Sequence, residues 1–168
     1  MIFWITIKTL VGEIALAEQD GRLIRVYMPN PERDATSIED ELGDIDSEVY
    51  RQDAPLLDLA ESQICEYFNG ERTEFELPLE YDGTEFQRSI WQEIARIPFG
   101  ETLTYTDIAH RINNPKAARA VGNSCGKNPL PLIIPCHRVL AVGNRLGGYS
   151  SGLDTKRTLL QHEGVKYQ

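Results

Sequence analysis

A chain of 168 residues, 41% hydrophobic and 26% charged with a mean hydropathy of -0.35, has volume for one compact domain or two small ones and the composition of a water-soluble fold. These values exclude a disordered segment and a short peptide-like module. The apolar stretch 130–135 falls far short of the roughly 20 residues of a membrane span. The first ten residues lack a basic start followed by a sustained apolar run, so no signal peptide and no membrane partner are expected, and a cytoplasmic location is. Three cysteines, Cys65, Cys125 and Cys136, are an odd number without CxxC spacing, which argues against a disulfide framework and against a four-ligand zinc site.

The net charge of -9 argues against a polyanionic partner, but the charge is unevenly placed. Residues 1–84 carry 20 acidic and 6 basic side chains, whereas residues 85–168 carry 6 and 11. Such asymmetry suggests two units, 1–83 and 84–168, with polyanion binding confined to the second. A solvated acidic face opposite an ordinary surface would give the same numbers.

Runs 2–8, 14–17 and 23–28 are β-prone and are separated by Val11-Gly12 and Asp20-Gly21, which predicts a three-stranded antiparallel meander. Residues 29–52 hold most of the acid excess. Only Ile38, Leu42 and Ile45 stand at helical spacing there, so the stretch reads as a loop with a weak helix. Then Asp53 as cap, Pro55, and Leu56, Ala60, Ile64 and Phe68 at four-residue steps predict a helix packed on the sheet. It stops at Asn69-Gly70, and Cys65 reads as a core thiol. Residues 71–83, with Pro78, read as a linker.

The second half is predicted to be mainly helical. Thr84 with Gln87 is a capping box, and Phe86, Ile90 and Ile94 form the stripe of a helix ending before Pro98. Thr104 with Asp107 opens a short helix carrying Ile108, Ala109 and Ile112. After Asn113-Asn114, Pro115 is placed to start another helix running to Cys125-Gly126. Two short helices around a tight turn are the layout of a helix-turn-helix, although many helical hairpins share it. On the second helix Arg119 projects from the methyl groups of Ala117, Ala118 and Ala120. Such a face lets a backbone approach a partner closely while the cation reaches phosphates or enters a base stack. A solvated arginine on a high-propensity helix fits the same residues.

The segment 128–139, NPLPLIIPCHRV, runs an apolar stretch straight into Cys136, His137 and Arg138. Adjacent residues do not face one another on a helix or strand, so a direct Cys136 to His137 bond is not expected. A relay through water is more natural, with the imidazolium stabilised by a carboxylate for which Glu163, close after Leu159-Leu160, is the candidate. A structural cysteine beside a packed histidine remains the alternative reading of these residues.

Pro-Cys-His-Arg-Val, preceded by Ala-Arg-Ala-Val-Gly and Asn-Pro, and before those by Phe-Gly-Glu-Thr and Thr-Tyr-Thr-Asp-Ile-Ala, resembles the methylated-DNA–protein-cysteine methyltransferases, also known as the O6-alkylguanine-DNA alkyltransferases. The resemblance spans residues 84–164 nearly without gaps and is looser over 1–83. It implies a ribonuclease H-like α/β N-terminal domain with a small antiparallel sheet, then a mainly α, winged-helix-like C-terminal domain. It further implies DNA repair without a cofactor or metal. An O6-alkylguanine is flipped from duplex DNA, and its alkyl group moves irreversibly to Cys136 of a protein acting as a monomer.

By the same resemblance Tyr105 hydrogen-bonds and protonates the guanine ring, while His137 and Glu163 form the water-linked activating pair. Arg119 fills the vacated place in the stack, Ala118 and Ala120 let the helix enter the minor groove, and Asn128 ties that helix to the active-site segment. Val139 offers its carbonyl to the guanine amine, Ser150 its amide to O6, and Tyr149 an aromatic wall. Ser151 stands where many members have glycine, which implies methyl transfer and disfavours bulky groups such as benzyl. Three competing readings predict different chemistry. A non-catalytic lesion binder would lack Cys136, a transcription regulator would need base-reading side chains that Ala117, Ala118 and Ala120 do not supply, and a cysteine hydrolase would turn over.

Overall fold

The computed structural model describes residues 1–30, 42, 49–51 and 54–168 and divides into two compact units, Met1–Tyr81 and Asp82–Gln168. In the first, β1 (Ile2–Thr9), β2 (Gly12–Gln19) and β3 (Arg22–Tyr27) form the antiparallel meander. At its second hairpin Asp20 and Gly21 take φ of 51° and 74°, the pair of positive angles whose twist matches the strands they join. The register of β2 on β3 shifts at Ala17/Glu18, leaving Ile24 as an extra residue, so that Leu23 and Ile24 are both buried.

A fourth strand, β4 (Val49–Arg51), pairs in parallel with β1 and gives the order β3-β2-β1-β4. It corrects the reading of 49–51 as part of a loop, because three residues are too few for an alternating signal to rise above acidic flanks. From the same stretch Leu42 is helical and fully buried, in a cluster with Ile2, Trp4, Ala15, Ala17, Ile24 and Tyr27. Ile38, Ile45 and Asp53 lie outside the described residues.

Helix α1 (Pro55–Phe68) has Ala54 at its N-cap and packs on β1, β2 and β3. Its buried face is Leu57, Ala60, Gln63, Ile64 and Tyr67, not the predicted stripe through Leu56 and Phe68. Both stripes fit a 3.6-residue period. The largest ring decides, since Tyr67 is fully buried with its ring 5.0 Å from that of Phe68 and 5.4 Å from that of Phe75. The same rotation exposes Cys65, which is therefore not a core thiol. Nor is 71–83 a free linker. Leu79 bridges in parallel to Leu23, and the Gln63 amide exchanges two hydrogen bonds with the Glu76 backbone, 2.8 and 3.1 Å.

In the second unit α2 (Glu85–Ala95) carries the Thr84/Gln87 capping box and buries Ile90, Trp91 and Ile94. Next, β5 (Leu103–Thr104) leads into α3 (Tyr105–Arg111), capped by Thr104 and Asp107. The second helix of the pair, α4 (Ala118–Gly126), begins three residues beyond Pro115. The carbonyl of Asn114 is spent on the Ala117 amide at 3.0 Å, closing a turn around Pro115 before the helix can start. Trp91 Nε1 donates to the Ser124 carbonyl at 2.9 Å and fixes α2 to α4. A 3-10 turn, Cys136–Arg138, runs into β6 (Val139–Leu140), which pairs in parallel with β5, and α5 (Leu153–His162) completes the unit. No helix among the described residues is long and apolar enough to cross a membrane.

Candidate active site

The segment before the cysteine is held by one side chain. Asn128 donates through Nδ2 to the Ile134 carbonyl at 2.7 Å and accepts from the Leu130 amide at 2.9 Å. It favours the ionised form of the Cys136 thiol, and it stands two residues past the end of α4. A tight 3-10 turn with about three residues per turn sends successive side chains in different directions. Cys136, His137 and Arg138 can therefore all be buried without touching one another in sequence order.

His137 and Arg138 converge on Glu163, the residue that caps the C-terminus of α5. His137 Nε2 lies 2.8 Å from Glu163 Oε1, and the Arg138 guanidinium forks onto both carboxylate oxygens, Nε to Oε2 and Nη2 to Oε1, each at 2.9 Å. Arg138 also donates through Nη1 to the Ile97 carbonyl at 2.6 Å, and the Gly100 amide donates to Glu163 Oε2 at 3.3 Å. Burial alone would raise the Glu163 carboxyl; the bonds from His137 and Arg138 outweigh it and hold the group well below the usual carboxylate range. Burial pushes His137 down, with Glu163 opposing, so the ring rests neutral. With its Nε2 proton given to the carboxylate, Nδ1 is left as a buried acceptor without a hydrogen-bond partner among the described residues.

Cys136 opens onto a pocket of about 170 Å³ lined by Tyr105, Gly122, Cys125, Gly148, Tyr149 and Ser150 among others. Burial raises the Cys136 thiol, while the Asn128 hydrogen bond and the Lys156 charge oppose it. The β5–β6 ladder sets the first residue of α3, Tyr105, beside this segment. Its hydroxyl reaches the Gly148 carbonyl at 3.4 Å, and burial raises its pKa above that of an ordinary phenol. Gly147 permits that approach: its φ is 67°, and a Cβ there would stand 2.8 Å from the Tyr105 hydroxyl.

The other residues singled out from the sequence are distributed unevenly. Arg119 is exposed on the first turn of α4, flanked by the partly buried Ala118 and Ala120. Tyr149 and Ser150 line the pocket, but Ser151, buried at the approach to α5, is not among its lining residues. Val139 does not line it either, and its carbonyl accepts from Lys156 Nζ at 2.7 Å. Sequence reasoning missed three members. Cys125 passed as a helix end, and Arg138 was noted without a role. Lys156 was overlooked, although it stands three and four residues before Leu159 and Leu160, in phase with their buried stripe and with Glu163.

Known proteins share both units. The ribonuclease-like domain of 6-O-methylguanine DNA methyltransferase matches residues 2–81, and the DNA-binding domain of the same family matches residues 85–165. A constitutive methylated-DNA–protein-cysteine methyltransferase of Bacillus subtilis is 37% identical over 169 residues, covering 100% of this chain and 99% of that one. The crystal structure of the Mycobacterium tuberculosis O6-methylguanine methyltransferase superposes with a TM-score of 0.82 at 36% identity, covering 97% of this chain and 93% of that one. A structure of the M. tuberculosis protein in complex with DNA gives the same TM-score and identity over 96% and 92%. With matches over both units and across the full length, the chain belongs to the 6-O-methylguanine DNA methyltransferase family.

Proposed function

We propose that this protein repairs DNA by direct reversal, moving the alkyl group of an O6-alkylguanine in duplex DNA irreversibly onto Cys136, once per molecule. The reading rests above all on the buried series Cys136, His137 and Glu163, anchored at one end by Arg138 and open at the other to the pocket. A thiol raised by burial is a poor nucleophile until its proton leaves. His137 Nδ1 takes that proton through a bridging water, and Glu163 stabilises the imidazolium so formed. The sulfur then forms a bond to the alkyl carbon, the carbon–O6 bond breaks, and its electron pair stays on the guanine. Tyr105 supplies the proton that neutralises the departing base. The thioether has no leaving group comparable to guanine, so the chain is spent.

The lesion must leave the stack, at a cost of a few kcal/mol. Arg119 takes its place while the small Ala118 and Ala120 let α4 sit close in the minor groove, where sequence need not be read. Tyr149 provides a pocket wall and Ser150 an amide for O6, and the Val139 carbonyl, outside the pocket lining and engaged by Lys156, keeps a second lone pair for the exocyclic amine. Ser151, next in sequence to the lining residue Ser150, takes up space that glycine would leave, which favours methyl over bulky groups. The basic balance of residues 85–168 suits a phosphate backbone. The protein acts as a cytoplasmic monomer on double-stranded DNA, since no step calls on a second copy. The domains divide as 1–83, the α/β unit with its acidic segment, and 84–168, which carries both the DNA surface and the alkyl acceptor.

The test is intact-protein and peptide mass spectrometry after incubation with excess duplex containing O6-methylguanine. One methyl group on the Cys136 peptide, saturating at one per chain, is the expected result. An unmodified protein that still binds the lesion would mean a lesion binder, and continuous release of product a hydrolase.

A further inference from the structure

We propose that Lys156 is a positioning residue for alkyl transfer, the counter-charge that the Cys136 thiolate meets and the clamp on two carbonyls beside the pocket. The proposal rests on the alkyl-transfer reading above and assigns work to a side chain that reading does not use. Lys156 is 0% exposed, and its ammonium donates to the Val139 carbonyl at 2.7 Å and the Gly148 carbonyl at 3.0 Å. Val139 follows the turn that carries Cys136, and Gly148 belongs to the pocket loop whose carbonyl also receives the Tyr105 hydroxyl. One cation therefore fixes the cysteine turn to the loop opposite.

The charge count gives it a second task. Among the described residues of this unit the buried charged side chains are Arg138, Lys156 and Glu163. The guanidinium and the carboxylate pair with each other, so Lys156 is the cation left over. A buried ammonium without an anion is costly, and the cost is relieved by any anion formed nearby. The titratable groups facing it are Cys136 from the 3-10 turn, Cys125 from α4, and His137. Burial lowers Lys156 to about 8, and the two thiols raise it in return. Of the two, Cys136 is the one whose turn Lys156 grips, through the Val139 carbonyl, and whose charge Asn128 also favours, so the thiolate is placed there.

The experiment follows the rate at which iodoacetamide alkylates Cys136 from pH 6 to pH 10 without DNA, read on the Cys136 peptide so that Cys65 and Cys125 do not contribute. Lys156→Gln keeps a donor for one carbonyl but no charge, whereas Lys156→Arg keeps the charge. Melting curves confirm that each is folded. Lys156→Gln should react about tenfold more slowly than the wild type at pH 7, whereas Lys156→Arg should match the wild-type rate there and, with no amine to deprotonate, keep climbing above about pH 8. If both variants lose rate alike at pH 7, Lys156 is a structural clamp and the proposal fails. The wild type offers a check that needs no variant. Above about pH 8 the thiol–amine and thiolate–ammonium forms hold equal numbers of protons, so the rate should flatten. A tenfold climb per pH unit continuing beyond pH 9 would overturn the proposal. Absence of methylation by O6-methylguanine duplex, with this profile intact, would sink the repair reading alone.

Discussion

Replacing Glu163 by Gln tests how the buried charges of the second unit are balanced. The carboxylate has no exposed side-chain surface and accepts from His137, from two nitrogens of Arg138 and from the Gly100 amide. An amide of the same shape turns one acceptor oxygen into a donor. At least one of those N–H groups then faces another N–H, and Arg138 keeps its charge without a carboxylate. Removing one side of a buried pair costs about 3–5 kcal/mol, a large part of the roughly 5–15 kcal/mol that holds a domain together. Urea denaturation followed through tryptophan fluorescence measures it, with Trp91 only 2% exposed in this unit. The pH dependence fixes the origin of the loss. Glu163 is held below its unfolded value, so its contribution is complete above about pH 4.3 and is lost as the pH falls below that. The gap between wild type and Glu163→Gln should narrow from pH 7 to pH 3. A gap under about 1 kcal/mol at pH 7, or one that widens toward acid, would refute the reasoning.

In the methylation assay Cys136→Ala should gain no methyl group yet bind lesion duplex in a gel-shift titration as the wild type does; lost binding would contradict the assigned role. Arg119→Ala should slow transfer from duplex by about 30-fold or more while leaving reaction with the free alkylated base within about twofold, because only the duplex exacts the cost of extrusion. Equal losses would take Arg119 out of that role. Gly147→Ala forces a Cβ against the Tyr105 hydroxyl at a positive φ, and should cost about 1–3 kcal/mol in urea and slow transfer more than tenfold. Transfer at the wild-type rate would show that the position of Tyr105 is not critical.

The sequence carried the local signals well. Both capping boxes stand where a threonine precedes glutamine or aspartate by three, and the Asp20-Gly21 hairpin forms with the positive angles its residues favour. Signals that depend on a distant partner were invisible. β4 exists because β1 has a free edge, Leu79 is extended because Leu23 offers its backbone, and the face of α1 is chosen by where Tyr67 fits. The site divides in the same way. Cys136, His137 and Glu163 were legible as residue types in a context, and the family resemblance gave their roles. The fork of Arg138 onto Glu163 and the grip of Lys156 on the Val139 carbonyl join chain segments 25 and 17 residues apart.

The hydrogen bond from Trp91 to Ser124 bears on how the connection into α4 can vary. Because α4 is held to α2 through its own second turn, at Ser124, that tie does not run through the six residues that lead into it. The connection 112–117 carries the path of the chain and not the aim of the helix. It is the stretch in which an inserted residue would be absorbed locally, so that the connection can drift in length while α4, with Arg119 on its first turn, keeps its place on α2.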